Sequence, residues 1–165
     1  MTVEATALRS VLRPHASGVA VLTAHGTAGP AGVTITSFTS ISARPALVSF
    51  ALADTSSTWA AIKDCDWFGV QLLGAHQSGL AERFAATGAD RFAPPTGWHT
   101  GPHGVPLLDD CLCWLVCSRH QQVRAGDHHL VVCAVEHVRE GVPGDSLVHL
   151  HGGLRPVASS TPARI

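Results

Sequence analysis

The chain has 165 residues, of which 45% are hydrophobic, so it is long enough for one domain with a real core and short for two. Eleven Lys and Arg residues nearly balance twelve Asp and Glu residues, and this net charge of −1 leaves no basic surface to hold a nucleic-acid backbone. Residues 1–7 contain an acid and begin no long apolar run, which predicts neither a signal peptide nor a membrane-spanning helix and favours a cytoplasmic protein.

The first part of the chain predicts a helix followed by a β-hairpin. Apolar residues at helical spacing predict an N-terminal helix over 3–13, which ends at Pro14. The apolar run 18–24 predicts a strand, and the Gly-rich stretch 25–32 predicts a turn. A second strand, from Val33, would then lead into the next segment of interest.

That segment, residues 34–42, carries six hydroxyl side chains in nine residues and is called here the hydroxyl-rich segment. Its apolar residues recur at every third position, which fits neither a strand nor an amphipathic helix. Hydroxyl groups and the backbone N–H groups beside them suit an uncharged polar heterocycle or a phosphate. The alternative is a loop whose hydroxyls bond to their own backbone.

Further strands and short helices follow. Strands are predicted over 46–52 and 67–73, and helices over 59–64 and 77–86. A loop rich in Gly, Pro and His spans 90–106. Strands 112–123 and 128–138 would pair around the turn 124–127, strand 147–150 would be the last, and 156–165 would form a loose tail. The strand number and turn spacing favour a closed antiparallel barrel with a few helices.

Two other groups of residues bear on ligand binding. Ser56, Ser57 and Thr58 precede a predicted helix, where free N–H groups suit an anion, although an ordinary helix cap explains the same residues. The cysteines and histidines lack the spacing of a structural metal site, so we predict no metal ligands among them. We expect the cysteines to be buried as small hydrophobic side chains.

Several segments, taken together and in order, resemble the signature of the flavin reductase family. The hydroxyl-rich segment continues into Arg44-Pro45-Ala46-Leu47-Val48 and matches the family run T-x-x-S-F-x-S-x-S-x-x-P-x-L-V. The remaining segments are 56–58, 80–85, 90–92, 126–128 and 151–152, so the resemblance covers about residues 8–155. It implies a single domain over 1–165 with an FMN-binding split β-barrel, which is mainly β with a few helices and has antiparallel, Greek-key-like strands.

The resemblance also implies which residues form the site. His128, in the Gly126-Asp127-His128 motif, would lie beside the nicotinamide as the catalytic residue. The alternative is that His128 is a turn residue without a functional role. Arg83 and Arg91 are candidate cofactor contacts, Arg83 to the phosphate or the ribityl chain. The flavin ring edge and phosphate would contact the hydroxyl-rich segment and the phosphate cradle that follows it, through Thr36, Ser37, Phe38, Thr39, Ser40, Ser42, Ser56, Ser57 and Thr58.

The implied function is an NAD(P)H-dependent flavin reductase. It would transfer hydride from NADH or NADPH to FMN or FAD, form a homodimer and supply reduced flavin to a partner monooxygenase. The chain has no Gly-x-Gly-x-x-Gly fingerprint after a strand, so the nicotinamide would be held without a Rossmann unit.

One departure from the family leaves alternatives open. The family commonly closes with a segment like Tyr-His-x-Gly-x-Tyr, whereas this chain has His149 to Leu154 and no tyrosine at all. A flavin-dependent oxidase or tailoring enzyme on the same barrel, acting on an organic substrate, is one alternative. A non-catalytic flavin- or haem-binding protein is the other.

Overall fold

About half of the described residues form antiparallel β-strands. The computed structural model describes residues 3–157. Its helices are α1 (Ala5–Val11), α2 (Ser57–Ile62) and α3 (Ser78–Ala85), with 3₁₀ turns at Ala75–Gln77 and Pro102–Gly104. Its strands are β1 (Ser17–Gly18), β2 (Ala20–Gly26), β3 (Gly29–Ile35), β4 (Thr39–Ala43), β5 (Ala46–Ala53), β6 (Trp67–Leu72), β7 (Trp98–Thr100), β8 (Pro106–Leu108), β9 (Cys113–Ala125), β10 (His128–Glu140), β11 (Ser146–Leu150) and β12 (Gly153–Val157).

Seven of these strands form one curled sheet in the order β3-β2-β6-β9-β10-β5-β4, with every neighbouring pair antiparallel. Side chains from β2, β3, β5, β6, β9 and β10 meet in a single apolar cluster, so the sheet curls around a common core, while its edge strands β3 and β4 are not paired with each other. Phe50 and Phe68 lie at its centre, both fully buried, with ring centroids 5.3 Å apart in an edge-to-face arrangement. The predicted mainly β, split-barrel fold is confirmed.

Strand β2 is buried on both faces, which explains its nearly continuous apolar sequence. One face points into the barrel. The other carries Val21 into a second apolar cluster with Phe84 and Ala81 of α3. Helix α3 therefore lies against the outside of the barrel at β2 and β3, and this position matters for the site below.

The C-terminal strand β12 was not predicted from the sequence. The backbone turns at His151 and Gly152, with φ of 52° and 82°, and two consecutive positive φ angles suit a tight hairpin. Pro156 and Val157, assigned above to a loose tail, pair instead with β11, so that assignment is wrong for these two residues. The remainder of the predicted tail, 158–165, lies outside the described residues.

Two boundaries near the N-terminus also differ from the prediction. The turn predicted over 25–32 is confined to Thr27 and Ala28, because Gly26 and Gly29 already pair as the ends of β2 and β3. Helix α1 is shorter than predicted, and none of its residues is buried. Within residues 3–157, no helix is both long and apolar enough to cross a membrane.

Candidate functional site

Arg91 forms the floor of a small groove of about 220 Å³ on the outside of the barrel. Its Nη1 donates hydrogen bonds to the Gly32 carbonyl at 2.6 Å and to Thr58 Oγ1 at 2.8 Å, and its Nη2 donates to the Ala86 carbonyl at 2.8 Å. These bonds join β3, α2 and the segment after α3. The groove is lined by Pro30, Ala31, Gly32, Ser57, Thr58, Ala61, Ala89, Asp90, Arg91 and Phe92.

The Arg91 guanidinium is not fully satisfied by these bonds. Its Nε is buried and has no hydrogen-bond partner among residues 3–157. Burial also lowers the pKa of Arg91 from its usual value, because the charged group has lost part of its hydration. A half-buried cation that lines a groove is suited to an anion of matching size, and phosphate oxygens fit a guanidinium well.

Aromatic packing holds Arg91 in place. The neighbouring Phe92 lies edge-to-face against Phe84 of α3 on one side and Trp98 on the other, with centroids 5.3 and 5.4 Å away. Trp98 Nε1 also donates to the Phe92 carbonyl at 3.2 Å. The segment that carries Arg91 is therefore anchored to α3, although it contains no regular secondary structure.

Gly32 is required where β3 approaches α3 beneath the groove. A Cβ atom at this position would lie 2.9 Å from the Phe84 ring, closer than real contacts allow, and 3.0 Å from the Leu22 carbonyl, which is tighter than most real contacts. The missing side chain lets α3 pack on β3 and leaves the Gly32 carbonyl free to accept from Arg91. The sequence motifs did not single out Gly32, because its role depends on a tertiary contact.

The three capping residues have different environments. Ser56 caps α2 by accepting a hydrogen bond from the Trp59 N–H at 3.2 Å, so the ordinary cap explains this residue. Thr58 is buried against Arg91, while Ser57 is exposed and lines the groove. Because α2 has only six residues, the positive charge of the groove comes from Arg91 rather than from a helix dipole.

The hydroxyl-rich segment is not one continuous strand. It breaks after β3, where Ser37 Oγ donates to the Ala51 carbonyl at 2.9 Å and accepts from the Ala51 N–H at 3.0 Å. Ser42 Oγ accepts from the Arg44 N–H at 3.2 Å and stabilises the turn after β4. Thr34 Oγ1 donates to the Ala81 carbonyl of α3 at 2.7 Å. Only Ser42 bonds to its own local backbone, whereas Ser37 and Thr34 bond to the backbone of β5 and α3.

The other hydroxyls of this segment remain available to a ligand. Thr36, Thr39 and Ser40 are exposed, and within residues 3–157 their side chains have no hydrogen-bond partner. Phe38 and Ser40 line an apolar groove of about 480 Å³ over the barrel mouth, called here the apolar groove. The rest of its lining is Val48, Leu72, Cys113, Trp114, Leu115, Val138, Arg139 and Glu140.

His128 begins β10 and pairs with Ala53 at the end of β5. Its Nδ1 lies 2.7 Å from Asp127 Oδ1, and the histidine side chain is 46% exposed. The hydrogen bond from His128 holds the pKa of the Asp127 carboxyl below its usual value. Since Ser56 follows Ala53 by three residues, His128 and the start of α2 lie at the same end of β5.

Arg83 is not brought into the groove of Arg91. Its Nη1 donates to the Ala93 carbonyl at 2.9 Å and to Thr96 Oγ1 at 3.0 Å, and it lines a separate depression with Pro95. The sequence predicted that both Arg83 and Arg91 contact the cofactor, but in the structure the two side chains line different depressions.

The histidines of the 90–106 loop also have local partners. His99 Nδ1 lies 2.8 Å from Asp109 Oδ1, and His103 stacks on Trp67 with ring centroids 3.4 Å apart. Neither histidine lines the groove of Arg91.

The cysteines behave largely as predicted. Cys111, Cys117 and Cys133 are buried, whereas Cys65 and Cys113 are only half-buried. All five are free thiols. Burial raises the pKa of Cys117 and of Cys133 to about 12.

The structure thus combines a curled antiparallel sheet with a half-buried arginine, neighbouring hydroxyls and an exposed histidine at its surface. The model of the flavin reductase like domain matches residues 12–158 of this chain. The chain therefore belongs to that family, and the family predicted from the sequence is confirmed.

Individual relatives agree with this membership. The chain is 42% identical over 130 residues to an NADH:FMN oxidoreductase of Rhodococcus qingshengii, covering 79% of this chain and 68% of the relative. It is 35% identical over 144 residues to the reductase component of a 4-nitrophenol 4-monooxygenase/4-nitrocatechol 2-monooxygenase of Rhodococcus opacus, covering 87% and 76%. Among solved structures, the NADH:FAD oxidoreductase SgcE6 of Streptomyces globisporus C-1027, in complex with NAD and FAD fragments, matches with a TM-score of 0.87, 28% identity and coverage of 95% and 94%.

Proposed function

We propose that this chain reduces flavin with a nicotinamide donor and releases the reduced flavin to a separate monooxygenase. Its family makes it an NAD(P)H:flavin oxidoreductase with flavin and nicotinamide nucleotides as cofactors, as the sequence predicted. The observation that carries the proposed site is the half-buried Arg91 guanidinium, which lines the groove and is held there by hydrogen bonds from Nη1 to Gly32 and Thr58.

The groove of Arg91 fits the flavin phosphate. The exposed Ser57 supplies a hydroxyl donor beside the guanidinium, while Thr58 Oγ1 donates to the Gly32 carbonyl and accepts from Arg91, which holds Arg91 in place. The groove volume of about 220 Å³ admits a phosphate with part of its chain. Charge-assisted hydrogen bonds of this kind are stronger than neutral ones. We therefore assign Ser57, Thr58 and Arg91 to the phosphate cradle, with Ser56 holding α2 in place and Arg83 anchoring the adjacent loop.

The hydroxyl-rich segment serves the flavin ring. Thr36, Thr39 and Ser40 offer unpaired hydroxyls to the polar edge of the ring, and Phe38 offers an apolar surface. Ser37 and Ser42 act indirectly, because their bonds to Ala51 and Arg44 fix the backbone of the segment.

His128 orients the nicotinamide in this proposal. Because its Nδ1 faces the Asp127 carboxylate at 2.7 Å, that nitrogen carries the proton, and Nε2 of the neutral ring is left free as an acceptor. An acceptor at this position suits the amide N–H of a nicotinamide. The bound flavin and nicotinamide supply the redox chemistry by hydride transfer, so the chain needs only to position them and exclude water.

We also propose that the protein forms a homodimer in the cytoplasm, where NAD(P)H is available. Val138 is 71% exposed beside the apolar groove, and an apolar surface of this kind is typical of an interface. Light scattering after size exclusion should give twice the chain mass, and Val138→Glu should shift it toward one chain mass. A wild-type protein with the mass of one chain at micromolar concentration would contradict the dimer.

Release of reduced flavin can be measured without knowing the monooxygenase. The protein is held above an ultrafiltration membrane under anaerobic conditions with FMN and NADH, each in large excess over protein. We expect reduced FMN in the filtrate in many-fold excess over the protein. Turnover confined to one flavin per chain would instead favour a flavin-retaining oxidase or tailoring enzyme.

A further inference from the structure

We propose that Asp54 is the positioning residue for His128, acting through the tip of the β9–β10 hairpin. The inference rests on the proposed role of His128 in orienting the nicotinamide. Asp54 follows β5 directly and is not part of any motif recognised in the sequence.

Asp54 contacts the hairpin on both sides of His128. Its backbone N–H donates to the Asp127 carbonyl at 2.9 Å. Its carboxylate lies 2.7 Å from Arg124 Nη2 through Oδ2 and 2.7 Å from His129 Nε2 through Oδ1. One residue therefore fixes the positions before and after His128.

These contacts matter because the hairpin tip has little other support. Residues 120–128 are all exposed, and the pairing of β10 with β5 ends at His128 and Ala53. The Arg124 side chain is 70% exposed, whereas the His129 side chain is only 20% exposed. The contact of Asp54 with His129 is therefore more buried than its contact with Arg124.

The protonation of His129 follows from its neighbours. Arg119 Nη1 donates to Gln122 Oε1, which fixes the amide and turns Gln122 Nε2 toward His129 Nδ1, 3.3 Å away. Nδ1 is then an acceptor, so the neutral ring carries its proton on Nε2, facing Asp54. Asp54 Oδ1 is buried and accepts no aligned hydrogen bond within residues 3–157, so its 2.7 Å contact with His129 Nε2 is a close charge–dipole contact rather than a hydrogen bond.

The same histidine is connected to the phosphate side of the site. The His129 ring stacks on Trp59 of α2 with centroids 4.5 Å apart and an interplanar angle of 23°. Trp59 is the residue that follows Thr58 in the proposed phosphate cradle. Asp54 thus holds the hairpin of His128 in a fixed relation to α2.

The test substitutes Asp54→Asn, which keeps the shape of the side chain but places an amide N–H against either Arg124 or the His129 Nε2–H. We expect kcat/KM for NADH to fall between about tenfold and a hundredfold, as expected for a misplaced orienting group, while the Kd of FMN changes by less than about twofold. Asp64→Asn, at an exposed carboxylate, is the matched control and should match the wild type.

Two readouts separate positioning from a general structural effect. In a His128→Ala background, Asp54→Asn should cause no further loss of kcat/KM for NADH, because its effect passes through His128. In ¹⁵N-histidine spectra, His129 should carry its proton on Nε2 in the wild type and shift toward the other tautomer in Asp54→Asn. If Asp54→Asn does not fold, Arg124→Gln should give the same non-additive pattern with His128→Ala and a smaller loss.

The outcomes that overturn the proposal are distinct. Wild-type NADH kinetics in Asp54→Asn, or losses that add fully to those of His128→Ala, would show that Asp54 does not act through His128. Unchanged NADH kinetics in His128→Ala itself would instead overturn the role given to His128 under the proposed function.

Discussion

Replacement of Arg91 by Gln tests the phosphate cradle most directly. The change removes a half-buried positive charge, together with three donated hydrogen bonds. A hydrogen bond to a charged group contributes about 1.5–3 kcal/mol, so the Kd of FMN should rise by roughly 10- to 150-fold. Riboflavin, which lacks the phosphate, should bind with a Kd that changes by less than about twofold.

The assay is fluorescence titration of both flavins with wild-type and Arg91→Gln protein. The three acceptors that lose their donor should also destabilise the fold by about 1–3 kcal/mol, so a thermal melt is recorded first and the titrations are made well below Tm. The decisive quantity is the ratio of the Kd of FMN to the Kd of riboflavin, since a general loosening of the site would weaken the binding of both flavins. Equal weakening of FMN and riboflavin, or unchanged FMN binding, would refute the cradle.

Three further predictions follow from the same structure. Ser57→Ala combined with Thr58→Ala should weaken FMN by roughly 5- to 150-fold and spare riboflavin, and unchanged FMN titrations would remove both hydroxyls from the cradle. Phe50→Ala empties the fully buried barrel centre and should lower the free energy of unfolding by about 3–5 kcal/mol in urea denaturation, with a loss under about 1 kcal/mol contradicting the packing. Burial raises the pKa of Cys117 and Cys133 to about 12. Their contribution to stability is therefore complete below the thiol pKa of the unfolded chain, about 8.5, and declines at higher pH. Tm should fall in this alkaline range, and it should fall less steeply when both cysteines are replaced by Ala.

Local patterns predicted the barrel well. The strands around Leu22, Phe50 and Phe68 are apolar runs bounded by turn residues, and such runs indicate a buried strand wherever the chain places it. Strand β12 escaped prediction because its signal lies in the backbone angles at His151 and Gly152 rather than in an apolar run. The irregular period of the hydroxyl-rich segment excluded one regular element there, but it did not indicate that the break lies at Ser37, where the side chain bonds to Ala51.

The site was predictable only in part. The order of the motifs indicated the flavin reductase family and pointed to Arg91 and His128 as site residues. It also predicted a cofactor contact for Arg83, without distinguishing it from Arg91. Only the tertiary structure shows that Arg91 donates to the Gly32 carbonyl while Arg83 is bound to the 93–96 loop. Sequence motifs did not indicate the role of Asp54, because its partners Arg124 and His129 are 70 and 75 residues away along the chain.

The central claim is that this chain reduces flavin supplied from solution with a nicotinamide donor. Oxidation of NADH and of NADPH by the purified protein, followed by absorbance while FMN or FAD is varied, tests it most directly. The account predicts turnover that rises with added flavin and saturates, and Arg91→Gln should need more FMN to reach half-saturation. Flavin binding without turnover with either nicotinamide would contradict the account.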